Sequence, residues 1–410
     1  MNLIPIEVDT IHLGRPLPFA LLTVDGTLLA PKGYVIEQRS ELSGLMVDRG
    51  QLFIDITESE IHRRAYMGKL YHMVSHDSEL GKIAEASVAS ADADAFRNKD
   101  NVNEASWLDL QEQAHLILRY PSTAGFVQRL AKLKLELDRH LVQNPDGTLF
   151  ALNYLASTEV KRYSATHSML VSCACLLAAR DVLKWPDQHL DALFNAALTM
   201  NIGMTELHDQ LAMQFEALSS RQLRIVENHA EMSRDLLVSL GVSDETWLDS
   251  VLHHRATPPG PLGLRSDSER TARLIQRADI FAAKLAPRAS RMPGSSASAM
   301  QSCYFDENRQ LDEAGAALIK AVGIYSPGTF VKLTSNEIAI VVKRRLNTTM
   351  PKVAVLINRH GMPTGEPLMR ETNQPDYRIV GNVPHRAIKV SLSLDRLLLL
   401  TKHTAADRLR

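Results

Sequence analysis

Cysteine is scarce in this chain. Cys173, Cys175 and Cys303 are the three among 410 residues. An odd and sparse set of this kind excludes a disulfide framework. Cys173 and Cys175 stand two apart on an expected helix, where side chains two apart do not face each other. A C-x-C metal site is therefore disfavoured, and buried structural thiols are expected. Aromatic residues make up 5% of the chain. Excess charge is missing too: 46 Lys and Arg face 47 Asp and Glu, for a formal net charge of -1. Without a broad basic footprint, nucleic acid is excluded as the main partner. The short run Lys343, Arg344 and Arg345 reads as a solvated strand end. No apolar run approaches the ~18 residues that a membrane span requires. The opening "MNLIPIEVDTIH" has neither the basic flank nor the apolar core of a signal peptide. These absences predict a cytoplasmic protein with no membrane partner.

What is present falls into four stretches. Residues 1–58 read as a small α+β module. In "FALLTVDGTLLA", two apolar runs flank Asp25-Gly26, and Asp-Gly tolerates the positive φ angles of a tight hairpin turn. A helix is expected over about 38–48, ended by Gly50, where glycine suits a helix C-terminus. "QLFIDI" then reads as another strand. Residues 59–105 form a helix, to about residue 75, and then a polar linker too poor in apolar residues to build a core. From 106 to 345 the chain is helical. Phe126, Leu130, Leu133 and Leu137 fall on one helical stripe. "PDGT" at 145–148 breaks the pattern, and further helices are expected over roughly 160–183, 187–199, 219–240, 244–254, 268–285 and 311–322. Many helices with short connections predict an all-α bundle. The tail is β-branched, as in "TFVKLTSNEIAIVVKRR" and "PKVAVLIN", so a β-rich extension is expected over 346–410.

Chemistry in the bundle concentrates on His167, His229, His253, His254 and Asp279. Imidazole and carboxylate are ligands for Mn, Fe or Zn, and bundles build metal sites from ligands on several facing helices. His229 shares a face with Ile225, Met232 and Leu236, and His254 lies at helical spacing from Trp247 and Val251. Asp279 sits in the apolar helix "RLIQRADIFAAKL", where a lone carboxylate is costly. Two readings stand side by side. The residues hold a metal ion, or they are hydrogen-bonded core groups, with Asp279 paired to Arg273 or Arg277.

The order of these landmarks resembles the HD-GYP family of bacterial phosphodiesterases that hydrolyse cyclic di-GMP. "ATHSMLV" resembles the family's first ligand helix, with His167 at the histidine. "AALTMNIGM" is similar in place to the family's "LLHDIGK" and keeps Ile202-Gly203. "IVENHAEMSRDLL" places His229 at the next ligand. "VLHHRATPPGPLGL" resembles "HHExxDGxGYPxGL" and keeps His253 and His254. "RLIQRADIFAAKLAPRASR" resembles "RIxxVADxxDAxxxxRPYR" and keeps Asp279. The resemblance covers about 145–345, and the stretch "LGRPLPFALLTVDGTLLAPKGYVI" looks like a module found before such domains. It implies a mainly α fold: an HD-type helical bundle with a small α+β N-terminal module and a short β-rich C-terminal extension.

The departures are as informative. Met200 and Asn201 replace the family's His-Asp pair, which binds metal and whose Asp can bridge two ions, and Met204 replaces its lysine. A thioether is soft and poorly suited to Mn or ferrous Fe, and methionine supplies no charge to a phosphate. The GYP tyrosine is missing, and Arg255 stands at the family's Glu. The resemblance thus implies a broken binuclear site. His167, His229, His253, His254 and Asp279 would hold one Mn, Fe or Zn ion, or none. The expected function is a catalytically impaired, ligand- or protein-binding regulator in cyclic di-GMP signalling. The alternative is a metal-dependent phosphohydrolase with residual cyclic di-GMP phosphodiesterase activity. Expected partners are cyclic di-GMP or a GGDEF-type diguanylate cyclase, and a homodimer is compatible with this reading. Arg255, Arg273 and Arg277 are candidate phosphate contacts, since guanidinium suits phosphate. Surface salt bridging is the plainer role for each.

Overall fold

The computed structural model describes residues 106–158, 162–286, 296–384, 388 and 394–402, with short stretches between residues 3 and 55. The chain divides into two units, 1–104 and 105–410. In the first, β1 (Leu3–Pro5), β2 (Leu21–Leu22), β3 (Leu28–Ala30) and β4 (Phe53–Asp55) form one sheet in the order β1-β4-β2-β3. β2 and β3 pair antiparallel, Leu22 opposite Leu28, so the strands flanking Asp25-Gly26 meet as the hairpin reading requires. Leu21 and Leu22 are buried with Phe19, Ile36 and Leu52. The helix expected over about 38–48, apart from Gln38, the helix expected over 59–75 and the polar stretch 76–105 lie outside the described residues.

The second unit is a helical bundle joined to a sheet. α1 (Trp107–Arg119) starts at Ser106, whose hydroxyl accepts from the Asp109 amide while Asp109 reaches back to the Ser106 amide. That exchange satisfies two of the donors that a helix start leaves open. α2 (Phe126–Gln143) buries Phe126, Leu130, Leu133 and Leu137, the expected stripe, and Leu141 one turn further on. "PDGT" does separate two helices, but it belongs to the second: Pro145 opens α3 (Pro145–Thr158). Proline fits a first turn because its missing N–H has no helical partner there anyway.

α4 (Tyr163–Leu177) is buried along its whole length and runs into a π-helical turn, Ala178–Val182. A helix apolar all round belongs at the centre of a bundle. Cys173 and Cys175 are buried on it as expected, and burial pushes both thiols up. α5 (Asp187–Thr199) leads through a 3-10 turn, Ile202–Met204, into α6 (Thr205–Met213). α7 (Ser220–Ser239), α8 (Glu245–His253) and α9 (Asp267–Leu285) follow, capped by Ser219, Asp244 and Ser266. α10 (Ser296–Tyr304) and α11 (Glu313–Val322) complete the bundle. No helix among the described residues is long and apolar enough to cross a membrane.

β5 (Phe330–Leu333), β6 (Ile338–Lys343), β7 (Lys352–Ile357), β8 (Pro363–Glu371) and β9 (Ile379–Asn382) form an antiparallel sheet in the order β8-β7-β6-β5-β9. Alternate residues serve opposite faces. Phe330, Ile340, Val342 and Ala354 pack against Phe150 of α3, while Val331, Ala339, Val341 and Val353 build a second cluster. The sheet begins before residue 346, because β6 pairs with β7 across the expected boundary at 345/346. The basic run is also less solvated than expected. Lys343 is buried and donates to the Lys402 carbonyl, Arg344 pairs with Asp146, and Arg345 with Glu371.

Gly315, in the first turn of α11, sits against the backbone of α10. A Cβ there would come within 1.8 Å of the Cys303 carbonyl oxygen. Backbone cannot yield as a side-chain tip can, and overpacking typically costs ~1–3 kcal/mol. Gly315→Ala is expected to lose at least ~2 kcal/mol by urea unfolding. A loss below experimental error would show that α10 and α11 are not clamped at this point.

Candidate functional site

Four helices and one helix end bring the candidate residues together. α4 supplies His167, α7 His229, the residue after α8 His254, and α9 Asp279; His208 joins them from α6. Gly203 helps to set this arrangement. Its amide donates to the Ser233 hydroxyl at 3.0 Å, and a Cβ would meet the α7 backbone at 2.8 Å. The turn carrying Met200 to Met204 is thereby held tightly against the helix of His229.

The ligand-type atoms fall into two pairs. His167 Nε2 donates to Asp279 Oδ1 at 2.7 Å. Asp279 thus pairs with an imidazole, not with Arg273 or Arg277 as the alternative reading had it. Burial alone would raise the Asp279 carboxyl. The hydrogen bond and charge of His167, with His254 and His208 nearby, outweigh burial and hold it well below the usual carboxylate range. In the second pair, His229 Nε2 and His254 Nε2 stand 3.1 Å apart. His229 Nδ1 donates to the Val226 carbonyl and His254 Nδ1 to the Val251 carbonyl, each at 2.7 Å. Both rings are buried. Burial pushes the His229 imidazole down to about 4, with His254 and Arg255 adding to the effect, and burial also lowers His254. Both rings are therefore neutral near pH 7. Each carries its one proton on Nδ1, so two Nε2 lone pairs face each other.

That arrangement fits a cation in part. A metal-bound histidine commonly donates its other ring N–H to a backbone carbonyl, as both rings do here. Among the described residues, however, no three His, Cys, Asp or Glu side chains converge as a ligand set.

The remaining candidates lie elsewhere. His253 is exposed and donates from Nδ1 to the Asp249 carbonyl at 2.9 Å. Met200 is fully buried within the apolar core, Asn201 is buried beside it, and Met204 is half-buried. The inward face of α7 is His229, Ala230, Ser233 and Leu237, whereas Met232 is 41% exposed. The expected partners Ile225, Met232 and Leu236 are thus displaced by one position around the helix. Arg255 is exposed, and its Nη1 donates to the Val226 carbonyl, the same acceptor that orients His229. Arg273 and Arg277 are not surface groups. Arg273 is fully buried, donates from Nε to Asp312 at 2.8 Å and also binds Glu307, and Arg277 pairs with Glu307. Asp312 in turn accepts the Gly315 amide as the cap of α11. These two guanidiniums tie α9 to α11, which leaves Arg255 as the exposed cation beside the paired imidazoles.

Sequence reading missed His208 and Tyr163. His208 packs edge-on against His167, with ring centroids 5.2 Å apart, and against Tyr163 at 4.8 Å. A usable signal existed. Tyr163 precedes His167 by four residues, and His208 follows Met204 by four, the spacing that puts side chains on one helix face.

No family model matches the chain. Over 261 residues it is 25% identical to the cyclic di-GMP phosphodiesterase PA4108 of Pseudomonas aeruginosa. The match takes in 62% of each chain, so this chain spans less than two thirds of that curated relative. Among solved structures, Bd1817, a HDG"Y"P protein from Bdellovibrio bacteriovorus, covers 77% of this chain and 98% of its own, at 17% identity and a TM-score of 0.42.

Two outcomes test the site as described. A histidine held neutral by burial stabilises the fold fully above its unfolded value near 6.5, and that contribution is lost as pH falls through the folded value. In chelator-treated protein, stability should therefore decline from pH 6.5 toward about 4, where His229 titrates. The loss should reach about 3 kcal/mol, and His229→Gln should flatten it. A flat wild-type profile would contradict a buried neutral ring. Separately, Arg273→Ala removes the main partner of the buried Asp312 and leaves it, of its cations, only the longer contact to Arg277 Nε at 3.4 Å, and should cost about 3 kcal/mol by urea unfolding. A change under ~1 kcal/mol would return Arg273 to the surface role read from sequence.

Proposed function

We propose that this HD-GYP-type chain is a degenerate member of its family, acting in cyclic di-GMP signalling by binding rather than by efficient hydrolysis. One observation carries the reading: Met200, at the place of the family's metal-binding histidine, is wholly buried among apolar side chains. Hydrolysis of a phosphodiester in such a site needs a metal-activated water and neutralisation of developing charge. With Met200, Asn201 and Met204 in the His, Asp and Lys places, this chain offers neither the bridging carboxylate nor the cation. The relationship to a cyclic di-GMP phosphodiesterase supports the ligand class. The output is capture of cyclic di-GMP, or of a GGDEF-type diguanylate cyclase.

Of these two, the narrowness of the site favours the protein partner. The recess bordered by Tyr163, Thr166, His167 and Leu170 has no room for even a water-sized molecule, whereas common ligand pockets offer roughly 300–1,000 Å³. A cyclic dinucleotide would have to bind in the open, beside Arg255. The second reading, a residual metal-dependent phosphohydrolase, draws on the buried imidazoles facing each other at 3.1 Å.

The test uses the full chain. Cyclic di-GMP is incubated with it in excess Mn(II), and linear dinucleotide and GMP are quantified by chromatography, with binding followed by calorimetry. The expected outcome is no product beyond one equivalent of protein, together with binding of cyclic di-GMP or of a GGDEF-type cyclase. Sustained turnover that disappears in Asp279→Asn would replace the regulator by the hydrolase.

A further inference from the structure

The connection between α6 and α7 is a fixed turn. Met213 ends α6, and Ser219 caps α7. Between them two glutamines clamp the chain. Gln222 Nε2 donates to Gln214 Oε1 at 2.8 Å, and Gln214 Nε2 donates to the Glu216 carbonyl at 3.0 Å. The Ser219 amide donates to Gln222 Oε1 at 2.9 Å. These bonds hold the backbone in place while its apolar side chains face water.

Those side chains are large. Phe215 is 73% exposed, Met213 53%, Leu223 47% and Leu218 46%. The surface continues onto α1, where Leu116 and Tyr120 are exposed. Arg119 joins the two areas. It pairs with Glu206 of α6 at 2.9 Å, and its guanidinium lies 5.7 Å from the Tyr120 ring centroid. A single exposed apolar residue needs no explanation, but a group of them marks a surface that meets something else. Phe, Tyr, Met and Arg are also the residues in which protein interfaces are enriched.

Charge selects the partner. Glu216 lies in the turn, and Arg221 and Arg224 follow at the start of α7, all three exposed. Among the described residues, none of the three is in an ion pair. A lipid surface would meet the Glu216 carboxylate beside the most exposed apolar side chain. Two arginines are also far fewer than the polybasic clusters that hold proteins to anionic lipid. A patch that carries both signs is complementary to itself, which is what a two-fold contact requires.

We propose that this face is a two-fold contact between two copies of the chain. Phe215 and Leu218 of each copy pack against those of the other, and Glu216 of each copy meets Arg221 of the other. The apolar side chains supply the affinity, and the charges fix the register. The patch is small beside an obligate interface, so the dimer forms and dissociates with concentration. The turn joins the helix of His208 to the helix of His229, so the contact bears on two elements of the candidate site. It does not depend on what that site binds.

Sedimentation velocity of the full-length protein over a range of micromolar concentrations tests the contact. Wild type should pass from monomer to dimer as concentration rises. Phe215→Ser should raise the dissociation constant at least about tenfold, the scale of a central apolar contact. Glu216→Arg and Arg221→Glu should each weaken the dimer several-fold, by setting like charges against each other. Mixed in equal amounts, these two variants should recover wild-type association, because the mixed pair restores both charge contacts. Circular dichroism checks each fold, and should Phe215→Ser unfold, Leu218→Ser reads the same contact. A wild type that stays monomeric throughout would overturn the proposal. So would a dimer indifferent to Phe215→Ser and Leu218→Ser, or charge variants that do not recover on mixing. Flotation of a monomer with phosphatidylglycerol vesicles, lost in Phe215→Ser, would replace the second copy by a lipid surface.

Discussion

The structure depends on the burial of α4 from every side. A helix with no solvent-facing stripe must satisfy each polar group within the protein, because a buried polar group without a partner is costly. α4 does this for several groups, although among the described residues Ser164 Oγ and His167 Nδ1 have no hydrogen-bond partner. Ser172 donates back to the Ser168 carbonyl, Thr166 receives Gln111 of α1, and His167 reaches Asp279 of α9. The candidate site is in this sense a by-product of core chemistry. The contact that could have been a metal ligand pair also holds the central helix to α9.

Much of the fold was legible because helical stripes and caps are local. The stripe of α2 and the limits of α5 follow from apolar spacing alone, and the apolar runs on either side of Asp25-Gly26 pair as β2 and β3. Errors arose where a residue's role depends on distant partners. The run Lys343–Arg345 looked solvated because its acceptors, Asp146, Glu371 and the Lys402 carbonyl, lie far away in sequence. Arg273 and Arg277 looked exposed for the same reason, since their carboxylates come from the segment before α11.

The site was legible as a set of residues and not as a set of contacts. His167, His229, His254 and Asp279 do gather, whereas His253, one residue from His254, faces outward at the end of α8. A helix end turns adjacent side chains by roughly 100°, so of two neighbouring histidines only one could point inward. His208 escaped notice because a single histidine on a nine-residue helix offers no more than its four-residue spacing from Met204 as a signal.

Met200 sets what substitution in this turn would do. Its side chain is part of the packing between α5 and its neighbours, so a histidine there would place a polar ring in an apolar setting. An aspartate at 201 would bury a carboxylate at the next position. Each change is unfavourable alone, so a polar pair could be built into this turn only by introducing both residues together.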